Sequence, residues 1–202
     1  MHRKEGRKVM NTELQESQRY GRNKDTTINH SYLNSGEFRK KFDQISDDKN
    51  LNRKVYQIVK KMLQHRSGTH YEDMYWIDID SLEIVASETD QKSHSKIKYS
   101  KATKKSIAKY ENLLVVHTHP DSMPPSINDF NSALHNKYQI CLVCCHDGRI
   151  FMYQSNNYVI EFFYRTTVAK YRKRGFSEFE AQMKALSVFQ EDGDIFLKEV
   201  LA

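Results

Sequence analysis

Leu113-Leu114-Val115-Val116-His117-Thr118-His119-Pro120 is the stretch on which the fold turns. Its first four residues are apolar on both alternating faces, which describes a central strand covered on both sides. Pro120 has no N–H to give to a sheet ladder, so the strand ends just past His119. Residues i and i+2 of a strand share a face and stand about 6.5–7 Å apart along it. His117 and His119 therefore point one way, with Leu113 and Val115 beneath them, and Thr118 points the other.

Working outward, Ser126–Lys137 reads as a helix with Phe130, Ala133 and Leu134 on one side. Ile140–Cys145 and Arg149–Gln154 form a hairpin around His146-Asp147-Gly148, whose Asp-Gly pair is a turn signal. Upstream, Ala102–Tyr110 reads as a helix, and Met74–Ile79 with Leu82–Ala86 as a hairpin of two strands. Before these, Leu51, Val55, Ile58, Val59, Met62 and Leu63 fall on one helical face. Asp47 or Asp48 can cap that helix and Ser67-Gly68 can end it. Everything after the second hairpin reads as helical: Val159, Phe162, Phe163, Thr166 and Ala169 form a stripe. Ser177-Glu178-Phe179-Glu180 opens a last helix as a capping box, with Phe179, Met183 and Leu186 facing inward. The fold class is α/β, a mixed β-sheet sandwiched by helices.

The chain has 202 residues and a net charge of +6, with 29% charged and 38% apolar residues. Its mean hydropathy of −0.79 and the lack of a long apolar run exclude a spanning helix. The opening Met1–Lys8 has no secretory leader's apolar stretch. Three cysteines crowded at Cys141, Cys144 and Cys145 make no disulfide framework. A cytoplasmic setting without membrane contact is the expectation. Residues 1–66 hold 16 Lys/Arg against 8 Asp/Glu, and residues 67–202 hold 16 against 18. The basic excess thus belongs to the N-terminal third. Residues 1–34 show little apolar periodicity, so 1–46 is read as a basic, flexible arm and 47–202 as a single domain. Such an arm suits a solvated linker or a weak nucleic-acid contact.

His117 and His119 can converge on one ion. Asp129 falls in the first turn of the following helix, where an ionised carboxylate is favoured. Two His and one carboxylate leave a fourth tetrahedral position open, as in catalytic zinc sites. Zinc would lower the pKa of a water there to about 7. Each piece also has a plain structural account. A His-x-His pair can be incidental on a strand, and Ser126 with Asp129 is a good helix cap. Their conjunction is harder to explain as packing.

His117-Thr118-His119-Pro120 followed by Ser126-Ile127-Asn128-Asp129 resembles the signature of the JAMM (MPN+, or JAB) metalloproteases, which include bacterial RadC-like proteins. The resemblance covers roughly residues 67–154. It implies an MPN/JAB-like layout, related to that of the cytidine deaminases, and a zinc ion held by His117, His119 and Asp129. It implies an upstream Glu as general base and Ser126 as the donor to a developing oxyanion. Glu72, opening the strand that ends in Ile79-Asp80, stands in the family's register for that base, and Glu83 is the next choice. Glu88 and Glu111 are less well placed. Six residues separate His119 from Ser126 and nine separate it from Asp129, one fewer in each case than the family's usual spacing; the loop Asp121–Pro125 absorbs the difference.

The expected activity is hydrolysis of a peptide or isopeptide bond in a protein or peptide substrate. The short link from Ser126–Lys137 to Ile140 leaves little room for the insertions with which ubiquitin-cleaving relatives grip a substrate. The alternative is a RadC-like nucleic-acid-associated or partner-binding module without protease activity. Other readings are weaker. Cys141 and Cys144 lie three apart on a strand, face opposite sides and suit buried hydrophobes. A zinc deaminase needs His-x-Glu and Pro-Cys-x-x-Cys, which this chain lacks. His135 lies well round its helix from Asp129, and Tyr171-Arg172-Lys173-Arg174 suits a solvated helix end.

Overall fold

The computed structural model describes residues 26–92 and 97–202. In chain order they form α1 (His30–Leu33), α2 (Gly36–Lys41) and a 3-10 turn (Phe42–Gln44), then α3 (Lys49–Arg66), β1 (Met74–Asp78), β2 (Ile84–Glu88) and α4 (Lys101–Ile107). They continue as β3 (Leu113–His119), α5 (Ile127–Asn136), β4 (Ile140–Cys145), β5 (Ile150–Ser155), α6 (Glu161–Lys173), α7 (Glu178–Glu191) and β6 (Ile195–Glu199). The strands make one mixed sheet in the order β2-β1-β3-β4-β5-β6. Only the β3–β4 junction is parallel.

The alternation along β3 divides the interior in two. Leu114 and Val116 join Tyr75, Ile77, Leu142, Cys144 and Ile150 beneath α1–α3, whose Val55, Val59 and Met62 are fully buried. Leu113 and Val115 join Trp76, Phe130, Cys141, Val143, Phe151 and Leu186 beneath α5 and α7. Burying each such side chain contributes about 1.5–3 kcal/mol. Trp76 Nε1–H donates to Tyr138 Oη at 2.9 Å, so the largest ring in the core leaves no polar atom unpaired.

Between the two hairpin strands β4 and β5, Gly148 sits at φ +89°, the left-handed conformation that an Asp-Gly turn needs. The α3 cap is Asp48, whose side chain accepts from the Asn50 N–H at 2.7 Å. The expected sandwich of helices about a mixed sheet is present.

Three readings are corrected. The first concerns the arm: its stretch 1–25 lies outside the described residues, but 26–46 is part of the domain. Ile28, Leu33, Phe38, Phe42 and Ile45 are buried in the α3-side core. Lys41, counted toward a solvated basic arm, is 2% exposed and donates its ammonium to the Gly148 carbonyl at 3.0 Å. The domain therefore includes Thr26 onward, not only 47–202. The second is the C-terminal tail, which is not all helical: β6 pairs antiparallel with β5 and forms the sheet's outer strand on that side. The third is the stripe Val159, Phe162, Phe163, Thr166 and Ala169, which splits: Val159 is buried in the α7-side core, ahead of α6, while the four members on α6 are exposed. That helix buries none of its residues, with Phe162 70% and Phe163 56% exposed. No helix among the described residues is long and apolar enough to cross a membrane.

Candidate metal centre

β3 delivers the two histidines to its carboxyl end. Met74 faces His117 across the β1–β3 ladder, and His119 lies beside Cys145 of β4. On the reverse face, Asp73 and Thr118 extend that ladder past the end of β1. The Asp73 N–H donates to Thr118 Oγ1 at 3.0 Å, and the Thr118 N–H donates to the Asp73 carbonyl at 3.1 Å. Asp73 is itself held by Arg66 at 2.5 Å and His65 at 2.8 Å. Continuing the register by one residue sets Glu72 opposite His119, on the histidines' face.

Asp129 arrives from α5. A full capping box holds it: the Ser126 N–H donates to Asp129 Oδ2 at 2.6 Å, and the Asp129 N–H donates to Ser126 Oγ at 3.3 Å. Its carboxylate faces both imidazoles, Oδ1 lying 3.3 Å from His117 Nε2 and Oδ2 3.5 Å from His119 Nε2. The two Nε2 atoms are 3.0 Å apart. His119 Nδ1–H donates to the Met123 carbonyl at 2.9 Å, which leaves Nε2 as the ring nitrogen turned to the cluster. His117 Nδ1 is buried without a hydrogen-bond partner among the described residues, and the polar contacts of that ring lie at Nε2.

The arrangement fits a tetrahedral ion. Donors about 2.0–2.1 Å from zinc stand roughly 3.3 Å from one another, and the three separations of 3.0, 3.3 and 3.5 Å bracket that value. Among the described residues, His117, His119 and Asp129 make the group whose donor atoms gather closely enough to hold a metal. The electrostatics agree. Burial opposes charge on Asp129, but the two histidines outweigh it and hold the carboxyl well below the usual range. Burial likewise disfavours a charged His119, yet Asp129, Glu72 and the Met123 carbonyl raise it to about 9. The same field that favours a proton there favours a cation among the three side chains.

The ligand atoms open into a cleft of about 530 Å³. Glu72 and Ser126 line it with the triad, so all five residues singled out in the sequence meet at one place. Burial pushes the Glu72 carboxyl up from its ordinary value, with His119 and His117 pulling it partly back. A carboxylate so placed takes a proton more readily than an exposed one. Ser126 accepts through Oγ, which leaves its hydroxyl hydrogen to donate into the cleft.

Glu83 is not here: it lies at the far end of the β1–β2 hairpin, in a shallow groove with Asn50, Arg53 and Lys54. Glu88 is occupied with Ser100, Thr103 and Gln91. His135 is exposed, and the three cysteines are buried with their thiols pushed up by burial.

Sequence reasoning missed the rest of the wall. Met74, Tyr99 and Met123 form its apolar part, Asn128, Ser132 and Gln182 its polar part, and His70 pairs with Asp121 at 3.3 Å on the rim. The His119 acceptor is a backbone carbonyl and had no residue-type signal. The chain matches no protein-family model, and neither curated proteins nor solved structures give a significant match.

Proposed function

We propose that this protein is a zinc-dependent metallopeptidase of the JAMM type, hydrolysing a peptide or isopeptide bond. One observation carries the reading: His117, His119 and Asp129 present donor atoms within 4.8 Å of one another, in a cleft that also holds Glu72 and Ser126. A site at the carboxyl end of a central strand, next to the sheet's parallel junction, supports an MPN-like layout.

When bound, zinc supplies the Lewis acidity that polarises a carbonyl and makes water a nucleophile near neutral pH. The protein's residues do the remainder. Glu72 accepts the proton of the attacking water and returns it to the leaving amine, a task suited to a carboxyl raised by burial. Ser126 donates its hydroxyl to the oxygen on which negative charge develops. Asp129 is fixed by the Ser126 N–H and by its position in the first turn of α5. His119 keeps its orientation through the Met123 carbonyl. Met74 and Tyr99 give the cleft an apolar wall that limits water around the scissile bond.

The test is metal analysis of purified protein with a peptide-library cleavage screen. About one zinc per chain is expected, lost in His119→Ala and kept in Glu72→Gln, while Glu72→Gln and chelation both abolish cleavage. A wild type that binds no zinc and is indifferent to chelation refutes the proposal.

A further inference from the structure

Between His119 and Ser126 the chain makes a tight loop, and its conformation decides where the Met123 carbonyl meets His119. Ser122 sits at φ +56°, a left-handed conformation unfavourable for a residue with a Cβ. Something outside the loop must hold it there. The Ser122 N–H closes a turn onto the His119 carbonyl at 3.1 Å. From the β4–β5 turn, the Asp147 N–H donates to Ser122 Oγ at 3.1 Å, and Arg149 Nη2 donates to the Ser122 carbonyl at 2.9 Å. The same guanidinium grips Asp147 through Nε at 2.6 Å and Nη2 at 2.5 Å. It lies over the Phe179 ring of α7 at 3.9 Å. Both charged side chains are nearly enclosed, Arg149 at 13% and Asp147 at 4% exposure.

We infer that Arg149, backed by Asp147, is a positioning residue for the metal centre: it clamps the Ser122 turn and so sets the Met123 carbonyl that orients His119. The inference rests on the reading of His119 as a metal ligand. Arg149 touches none of the triad in the contacts that define this clamp, and its influence passes through one carbonyl. A planar fork is needed because one group must reach Asp147 and the Ser122 carbonyl together. Loss of a group bonded directly to a metal ligand typically weakens metal binding about 10–100-fold, and Arg149 acts one step further out, so its loss falls at the lower end of that range.

The experiment compares full-length wild type, Arg149→Met and Arg149→Lys. Zinc affinity is read by chelator competition, cobalt substitution gives the ligand-field spectrum, and thermal melting reports the fold. Arg149→Met is expected to weaken zinc binding about 10-fold and to change the cobalt spectrum. Arg149→Lys keeps a cation beside Asp147 but lacks the fork. It is expected to recover melting temperature while leaving zinc affinity below wild type. If Arg149→Met lowers only the melting temperature, with zinc affinity and cobalt spectrum as in wild type, the residue is merely structural and the inference is overturned.

Should wild type bind no zinc, the metal reading falls by itself, and the clamp is read from the His119 Nδ1–H resonance in metal-free protein. That proton is expected to be protected from exchange in wild type and unprotected in Arg149→Met; equal protection overturns the clamp. If Arg149→Met does not fold, Ser122→Ala, which removes only the acceptor for the Asp147 N–H, is expected to shift the same readouts in the same direction. Wild-type values there overturn the inference.

Discussion

Phe38→Ala is the sharpest test of where the domain begins. Phe38 is 0% exposed; it meets Tyr32 at 5.5 Å and Phe42 at 5.3 Å edge-on, and a tilted Tyr56 at 6.3 Å, between ring centroids. Tyr56 belongs to α3, so this aromatic cluster fastens α2 to the first long helix. Truncating a buried Phe to Ala costs about 3–5 kcal/mol, through lost transfer energy and the cavity left behind. In a domain of this size each kcal/mol moves the melting temperature by about 2–4 °C, so the expected fall is about 6–20 °C. Urea unfolding followed by far-UV circular dichroism should show a lower midpoint with an unchanged slope. Phe38→Leu, which largely preserves volume, is expected to lose less than about 1.5 kcal/mol. A Phe38→Ala variant within about 1 kcal/mol of wild type refutes the reasoning, because residues 26–46 would then be an appendage after all.

Other perturbations probe the site and the sheet. Asp129→Asn keeps an oxygen for the Ser126 N–H but loses the charge between the histidines; zinc affinity by chelator competition is expected to fall by more than the ~10–100-fold typical of outer partners. Ser126→Ala removes the α5 cap and the oxyanion donor together, costing about 1 kcal/mol of stability and about 10²–10³ in kcat while zinc stays bound. Slight burial opposes charge on Glu88, but Thr103, the Ser100 N–H and Gln91 together hold its carboxyl below the ordinary glutamate value. The unfolded state therefore takes up its proton first as pH falls. Stability from this group is full above about pH 4.5 and is lost as pH drops through the folded value; in Glu88→Gln that part of the acid limb should be absent from urea midpoints. Finally, buried thiols pushed upward make poor nucleophiles, so Cys141, Cys144 and Cys145 should resist thiol reagents until the chain unfolds.

Much of the site was legible because its signals are local. Parity on a strand, a proline stop and a cap three residues from its partner are read from neighbouring positions, and they put His117 and His119 at the end of β3 and Ser126 and Asp129 at the start of α5, as in the structure. The choice of Glu72 rested on a resemblance rather than a local pattern; the structure sets it in the same cleft through the Asp73–Thr118 pairing, a contact between residues 45 apart. The N-terminal helices were hidden for a different reason. At four and six residues they are too short to show a helical period. Phe38 and Phe42 stand in a run of basic residues whose charge suggested solvent. β6 was missed because an edge strand of five residues, half exposed, carries weak alternation. The stripe from Val159 to Ala169 holds only at Val159, because the α6 members of that spacing turn to solvent.

The bond from Lys41 to Gly148 joins residues 107 apart in the chain. A ribosome adds about 5–20 residues per second, so α2 emerges on the order of 5–20 s before the turn on which Lys41 rests has been made. Through that interval Phe38 and Phe42 lack the Leu142, Cys144 and Ile150 side chains that complete their core. The Lys41 contact, and with it the cleft beyond β3, therefore waits on the β4–β5 hairpin, whose turn supplies the Gly148 carbonyl.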